Sequence, residues 1–420
     1  MNKVLIITYY WPPGSGAGVQ RWLKFSKYLP GLGWEPIILT VDPEYAAFAV
    51  TDNSLIEDLP VSVKVHKTPA INYFSIYKKD KTKIPAAGFA NSVDNTLIGK
   101  ILRFVRGNFF IPDPRKGWNK FAFKKACEII ESEGIKHVIT TSPPHSTQLT
   151  GLKVKKKYPG IKWIADLRDP WTDIYYYDQF YPTFISKAID RNFERQVLKS
   201  ADRIITVGKS LKDLFSAKIP GIEDKIEVIP NGYDEEDFTG FIPLNPEVFT
   251  ISYIGTLSDS YPVTGFMDAL KNFDSTGYKI RLRFVGTVSP GQKSSILSKS
   301  GNLFFEFIPY VNHHDAIKYM MESSVLLLII PDHYSNKSIM TGKLFEYLAS
   351  GKPILCIGPK DGDAADILVS TGHGKCAGYS DTEEIIRILD NYYNSAPHSD
   401  KTAPQEFSRS SLTAKLVLQF

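Results

Sequence analysis

Cysteine is scarce in this sequence. Cys127, Cys356 and Cys376 are the only three in 420 residues, and no Cys-x-x-Cys pair occurs. That excludes a disulfide framework and a cysteine-built zinc site, and it fits a reducing, cytoplasmic setting. Long hydrophobic runs are missing too. The longest late run, Val325–Ile330, is far short of the ~20 apolar residues a membrane-spanning helix needs. Near the start, Val4–Ile7 is followed at once by Tyr9, Tyr10, Trp11, Pro12 and Pro13. Such a run is too short for the apolar stretch of a signal peptide and reads as a buried strand. No segment of about 20–50 residues repeats, which argues against solenoids and propellers. His313-His314 has no partner at metal-site spacing, so no metal is expected. No basic–aromatic module of a nucleic-acid reader appears.

What remains is the chemistry of a large globular chain. Apolar residues make up 43% and charged residues 23%, which rules out wholesale disorder. The net charge of +5 is unevenly placed, for residues 1–120 hold 16 Lys and Arg against 9 Asp and Glu. That excess suggests an anionic partner in the first third, whether phosphate, an acidic lipid surface or nucleic acid, while most of the individual lysines read as a solvated surface.

Short apolar runs alternate with helix-period segments, the signature of parallel sheets covered by helices. Strands are expected at 3–8, 36–41, 63–67, 137–141, 162–166, 203–207 and 226–229, then at 250–254, 279–285, 303–308, 325–330 and 353–357. Between the two sets, Asn231-Gly232, an acidic stretch, Pro243 and Pro246 read as a linker. The simplest solution is two doubly wound α/β domains, 1–240 and 246–395, with 396–420 as a terminal segment. Ligands of such sheets sit beyond the strands' carboxyl ends, and the cleft between two domains is the default site.

Four motifs fall at such strand ends. Trp11-Pro-Pro-Gly-Ser-Gly-Ala-Gly18 joins a strand to a helix, and Gly16, Ala17 and Gly18 let backbone amides approach an anion. Its spacing is not the dinucleotide Gly-x-Gly-x-x-Gly, and no acid caps the second strand, so a nicotinamide cofactor is disfavoured. Thr140-Thr-Ser-Pro-Pro-His-Ser146 holds His145 at a strand end. There it either orients a substrate hydroxyl or bonds the backbone as a structural histidine. In Asp166-Leu-Arg-Asp-Pro-Trp171, Asp169 is either a sugar-hydroxyl ligand or part of a local Arg–Asp brace. Finally, Thr341-Gly342-Lys343 opens a short helix whose amides and ammonium make an anion seat. Glu346 follows three residues on, placed to accept two hydrogen bonds from a ribose diol.

Residues 98–110 add a basic amphipathic pattern. Ile98, Ile101, Leu102 and Val105 share one face, Lys100, Arg103 and Arg106 the other, and Phe109-Phe110 follows. Such a segment either lies in an anionic membrane interface or packs as an ordinary surface helix. The neighbouring Lys78, Lys79, Lys81 and Lys83 add to the basic cluster.

Together these residues resemble family 4 glycosyltransferases, retaining nucleotide-sugar enzymes of the GT-B fold. The likeness is greatest to members from bacterial surface-polysaccharide assembly. It runs over nearly the whole chain: the glycine loop with Arg21, Asp166–Trp171, Ile204-Ile-Thr-Val, Val228-Ile-Pro-Asn-Gly-Tyr-Asp234, Tyr253-Ile-Gly-Thr and Gly342-Lys-Leu-Phe-Glu-Tyr-Leu-Ala. The resemblance implies two Rossmann-like domains, the donor held mainly by the second, and a final helix within Phe407–Phe420 returning to the first. It implies metal-independent transfer from a nucleoside-diphosphate sugar to a glycan or lipid-linked acceptor. In the family's Glu-x7-Glu motif the second Glu, on the ribose, matches Glu346, whereas the first would fall on Ser338. An Arg often follows the glycine of the first strand in the second domain, and here Thr256 follows Gly255. Lys343 would supply the lost positive charge at the diphosphate. His145 and Asp169 would serve catalysis and the acceptor. A nucleotide-sugar 2-epimerase and a non-catalytic nucleotide-sugar-binding partner share the architecture and are the alternatives.

Overall fold

The computed structural model describes residues 1–46, 48, 51–52, 54–56, 58–60, 62–73, 96–241, 248–274, 279–299, 303–394 and 401–420. The lysine cluster at 78–83 and the linker prolines 243 and 246 lie outside them. The chain forms two units. One comprises Met1–Pro230 with Arg409–Phe420, the other Asn231–Ser408. The division after Pro230 falls earlier than the linker placed it, because Tyr233 is buried in the second unit's core and its N–H donates to the carbonyl of Phe407.

In the first unit the described strands are β1 (Asn2–Ile7), β2 (Trp34–Val41), β3 (Lys64–Thr68), β4 (His137–Ser142), β5 (Lys162–Leu167), β6 (Arg203–Thr206) and β7 (Ile226–Val228). All pair parallel, in the order β3-β2-β1-β4-β5-β6-β7. Central strands of such sheets are covered on both faces. Accordingly Val4–Ile7 is fully buried, with Val4 opposite Pro36 on β2 and His137 on β4. The helices are α1 (Ala17–Tyr28), α2 (Leu97–Phe109), α3 (Asn119–Glu133), α4 (Ser146–Lys157), α5 (Phe184–Ser200) and α6 (Lys209–Lys218).

The second unit repeats the plan. Its strands are β8 (Phe249–Ile254), β9 (Ile280–Val285), β10 (Phe304–Ile308), β11 (Val325–Ile329), β12 (Ile354–Ile357) and β13 (Gly374–Ala377), in the order β10-β9-β8-β11-β12-β13. Its helices are α7 (Thr264–Asp274), α8 (Pro290–Ser298), α9 (His313–Met321), α10 (Gly342–Ala349), α11 (Asp363–Thr371) and α12 (Thr382–Asn394). One core cluster gathers Leu327, Phe266 and Ile385, and another gathers Leu328, Phe345 and Leu348. After α12 the chain enters α13 (Arg409–Val417), whose Leu412 and Leu416 join the first unit's core beside Trp22 and Phe25. In each sheet the order reverses direction at one point, β1/β4 in the first and β8/β11 in the second. Doubly wound sheets bind ligands at such points.

Candidate functional site

The carboxyl ends of β1, β4 and β5 lie side by side in the first unit. Gly16 precedes α1 at φ +103°, and no side chain caps the helix, so its first amides stay available to an anion. The Arg168 guanidinium lies against this turn, since a Cβ on Gly18 would stand 3.5 Å from Arg168 Nη2. Arg168 is held by donating from Nε to the Ser142 carbonyl at 3.0 Å.

Asp166 has a different task. Its carboxylate is fully buried and accepts from Trp22 Nε1 at 2.7 Å, Thr141 Oγ1 at 2.7 Å and Arg21 Nη2 at 3.2 Å. Arg21 also donates to the carbonyls of Ile229, at 2.9 Å, and Pro230, at 2.8 Å. This pair ties β5 to α1 and to the chain leaving β7. It frames the strand ends instead of meeting a ligand.

His145 stands just before α4, its ring stacked on Trp171 at 4.9 Å. Burial, with Lys218 and Arg168 adding, pushes its pKa down to about 3, so the imidazole is neutral. Its Nδ1 is buried with no hydrogen-bond partner among the described residues. Asp169 is half-buried, and burial pushes its carboxyl up against the opposing pull of Arg168. A hydrogen bond from the His145 ring to the Pro170 backbone pulls the His145 pKa the other way, so the structural alternative for His145 stays open, and Asp169 makes no brace of the kind Asp166 makes among the described residues.

In the second unit, β8 is followed by Gly255, φ +121°, and β9 by Gly286, φ +118°. Only glycine is at ease at such angles. A Cβ on Gly286 would also stand 2.6 Å from the Gly255 carbonyl oxygen. Helix α10 is pinned to this edge because Ile254 N–H donates to Tyr347 Oη at 2.9 Å, and Leu344, Phe345 and Leu348 are buried beneath. The pinning brings the predicted residues together. Lys343 Nζ would lie 3.0 Å from a Cβ on Gly255, and it donates to Tyr253 Oη at 2.8 Å. Tyr253 Oη in turn donates to the Thr256 carbonyl at 2.8 Å. Burial pushes the Lys343 ammonium down to about 7, with Glu346 pulling the other way. Thr341 is the N-cap of α10, and its Oγ1 is buried with no hydrogen-bond partner among the described residues. A capping hydroxyl ordinarily accepts from the helix's own amides, so one that does not leaves those amides open.

Glu346 reaches His313, whose Nε2 lies 3.1 Å from Glu346 Oε1. His313 begins α9, directly after β10, and sequence reasoning weighed it only as a metal ligand. Arg168 and Tyr253 were likewise passed over, although both sit inside motifs already singled out. Among the described residues no group of three His, Cys, Asp or Glu is placed to hold a metal ion.

A sequence model of Glycosyltransferase Family 4 matches residues 18–237, over half of the chain. The chain belongs to glycosyltransferase family 4. Solved structures agree on the architecture of this family 4 glycosyltransferase. A glycosyltransferase from Rickettsia africae is 14% identical, with a TM-score of 0.61 over 100% of this chain and 98% of that one. The lipopolysaccharide outer core galactosyltransferase WaaB is 11% identical, with a TM-score of 0.60 over 99% of this chain and 98% of that one. HepE of Anabaena, solved with UDP and glucose, is 12% identical, with a TM-score of 0.60 over 100% of this chain and 99% of that one. At such identities the likeness establishes the fold, GT-B, built of two Rossmann-like α/β domains. No curated protein matches the chain by sequence.

Proposed function

We propose that this glycosyltransferase moves a sugar from a nucleoside-diphosphate sugar to a glycan or lipid-linked acceptor with retention, in surface-polysaccharide assembly. The observation that carries the reading is the seat at the start of α10. Open amides at Gly342 and Lys343, the unpartnered Thr341 hydroxyl and the Lys343 ammonium gather beside the Gly255–Thr256 turn, at the β8/β11 reversal. A diphosphate meets there the charge and donors it needs. Glu346, oriented by His313, accepts from the ribose hydroxyls.

During transfer the bond from the sugar's anomeric carbon to the diphosphate oxygen breaks, and the electron pair leaves with the diphosphate. The acceptor oxygen bonds the same face, and its proton passes to the departing phosphate oxygen. The protein's task is to stabilise the growing negative charge, which Lys343 and the α10 amides perform. The turn at Gly16, Ala17 and Gly18, with Arg168, is assigned to the donor as well. Neutral His145 holds a sugar hydroxyl through Nδ1, and Asp169 accepts from the acceptor hydroxyl.

The same reading puts the enzyme on the cytoplasmic side of an anionic membrane; no helix among the described residues is long and apolar enough to cross it. Leu97, Ile98, Ile101 and Phe104 of α2 are exposed, and so are Phe184 and Ile185 at the start of the adjacent α5. Of the two alternatives the pattern left open, solvent exposure of Ile98 and Ile101 beside Lys100 and Arg103 favours the membrane interface. That combination suits an interface of lipid tails and acidic headgroups.

The primary test is thermal-shift screening against nucleoside diphosphates and nucleotide sugars. A true donor raises the melting temperature by mass action. No shift with any of them sinks the reading, and conversion of the sugar nucleotide without acceptor would identify an epimerase.

A further inference from the structure

Two of the three cysteines meet inside the second unit. Cys356 on β12 and Cys376 on β13 are register partners in parallel strands. Partners in register point to one face of a sheet, and both side chains belong to the same apolar cluster. Neighbouring strands run about 4.7–4.9 Å apart, within the Cα separation of roughly 4.4–6.8 Å that a disulfide spans. The two side chains share a hydrogen bond. Both thiols are free, and the donor chemistry uses neither.

The pair is asymmetric. Cys356 is fully buried, and its hydrogen bond to Cys376, with burial adding, pushes its thiol well above the ordinary range, so it stays protonated. Cys376 is half-buried on β13, the last strand in the order of its sheet. Its Sγ lies 3.7 Å from the Pro359 carbonyl oxygen. The hydrogen bond from Cys356 pulls the Cys376 thiol down. Burial opposes that pull, and Lys360, itself paired with Asp381 at 2.7 Å, adds to it. A partly exposed thiol drawn toward thiolate, beside a protonated second thiol, is the arrangement of an attacking and a resolving cysteine.

Beyond Cys376 the same segment grips the loop that leads to the donor seat. Tyr379 Oη accepts from Asn336 Nδ2 at 2.9 Å and donates to the Pro331 carbonyl at 3.1 Å. That loop runs from β11 to Thr341, the N-cap of α10. A disulfide draws two sulfurs closer than a hydrogen bond does. Strand β12 is held between β11 and β13, so the closure shifts β13 and, with it, Tyr379. A loop loosened at Tyr379 no longer holds the α10 amides in place, and lost preorganisation is lost affinity.

We propose that Cys356 and Cys376 form a hydroperoxide-responsive switch whose disulfide weakens nucleotide binding at α10. The proposal rests on the donor reading above for the site it regulates. The Cys376 thiolate attacks one peroxide oxygen and the O–O bond breaks. The leaving oxygen takes up the proton that the thiol released and departs as water or an alcohol, and Cys376 becomes a sulfenic acid. The Cys356 sulfur then attacks the sulfenic sulfur, the S–O bond breaks, and the leaving hydroxyl takes the Cys356 proton and departs as water. The two thiols supply the two electrons that reduce the peroxide, and a dithiol reverses the bond by exchange. In a reducing compartment such a bond is transient and redox-sensing.

The test treats the full chain with hydrogen peroxide, maps its peptides, and measures calorimetric affinity for uridine, adenosine, guanosine and deoxythymidine diphosphates. A peptide cross-linked through Cys356 and Cys376 should appear, with Cys127 left as a thiol. Affinity for the nucleotide that binds best should fall five-fold or more and return with dithiothreitol. Cys376→Ser should ignore peroxide, and Cys356→Ser should stop at a sulfenic acid that dimedone traps on Cys376. Absence of the cross-link, or a cross-link that leaves affinity within two-fold, overturns the proposal. The peroxide comparison needs no variant, so it decides even if a substitution fails to fold. A chain that binds none of the four nucleotides, reduced or oxidised, sinks the donor reading and the switch with it. A chain that binds nucleotide but forms no cross-link sinks the switch alone.

Discussion

Lys343 offers a sharp test because its burial makes nucleotide binding depend on pH. Its ammonium is held near a pKa of about 7 in the empty protein. At pH 7 about half the molecules carry the charge, and at pH 9 about one in a hundred does. A bound diphosphate favours the charged form and raises the pKa, so binding takes up a proton. Affinity should therefore level off below the empty-state pKa and fall as pH rises above it. If the bound ammonium stays charged to pH 9, the fall from pH 7 to pH 9 is roughly 50-fold. At 1.36 kcal/mol per tenfold change this is about 2.3 kcal/mol. Phosphate groups titrate near pH 6 and are already ionised across this range, so they do not mimic the effect. Calorimetry in two buffers of different ionisation enthalpy measures the proton count directly. Uptake of about half a proton is expected at pH 7, rising toward one by pH 8.5. Lys343→Met should abolish both the slope and the uptake. A flat affinity from pH 7 to pH 9, or a slope that survives Lys343→Met, refutes the assignment.

Other substitutions separate framing from chemistry. Glu346→Ala should weaken nucleoside diphosphate binding by ~1.5–3 kcal/mol, the value of charge-assisted hydrogen bonds, and unchanged calorimetric affinity would reject the ribose role. His145→Ala should cut transfer strongly while nucleotide affinity holds, whereas equal loss of both would mark the residue as structural. Asp166→Ala strands the buried Arg21 charge and should cost ~3–5 kcal/mol in urea unfolding followed by tryptophan fluorescence; a loss under 1 kcal/mol would contradict the brace. Ile98→Glu with Ile101→Glu should abolish sedimentation with anionic vesicles and leave nucleotide binding intact, and persistent sedimentation would remove α2 from the membrane contact.

The parallel sheets were legible because their strands are apolar runs broken by loops, and burial on both faces demands that composition. Elements without such contrast were not. Gly374–Ala377 forms β13 through pairing with β12 and has no apolar run of its own. Helix α4 buries Thr147, Gln148 and Thr150 beside Leu152 and Val154, so its inner face looks polar. Helix α8 is short and carries almost no one-sided pattern. At the site, Lys343 and Glu346 were visible because one short helix carries both. The partners that tune them were not. Tyr253 meets Lys343 across 90 positions, and His313 meets Glu346 across 33. Local periodicity gives no sign of such pairs. Arg106 shows the same limit from the other side: its helical phase was clear, but its guanidinium lies 3.9 Å from the centroid of the Phe180 ring instead of facing outward with Lys100 and Arg103.

The arrangement of α13 bears on how the molecule is made. Leu412 and Leu416 belong to the core that holds Trp22 and Phe25, and Lys415 donates to the Val228 carbonyl at 3.0 Å. Domains fold as units during synthesis, generally from the N-terminal end. Here the first unit cannot close its core until residues 409–417 have been translated. The second unit, a continuous stretch from Asn231 to Ser408, has all its strands on hand before then. A chain whose residues through 408 have left the ribosome therefore carries a second unit able to close and a first unit still open along the flank of α1, with Trp22 and Phe25 waiting for their last neighbours.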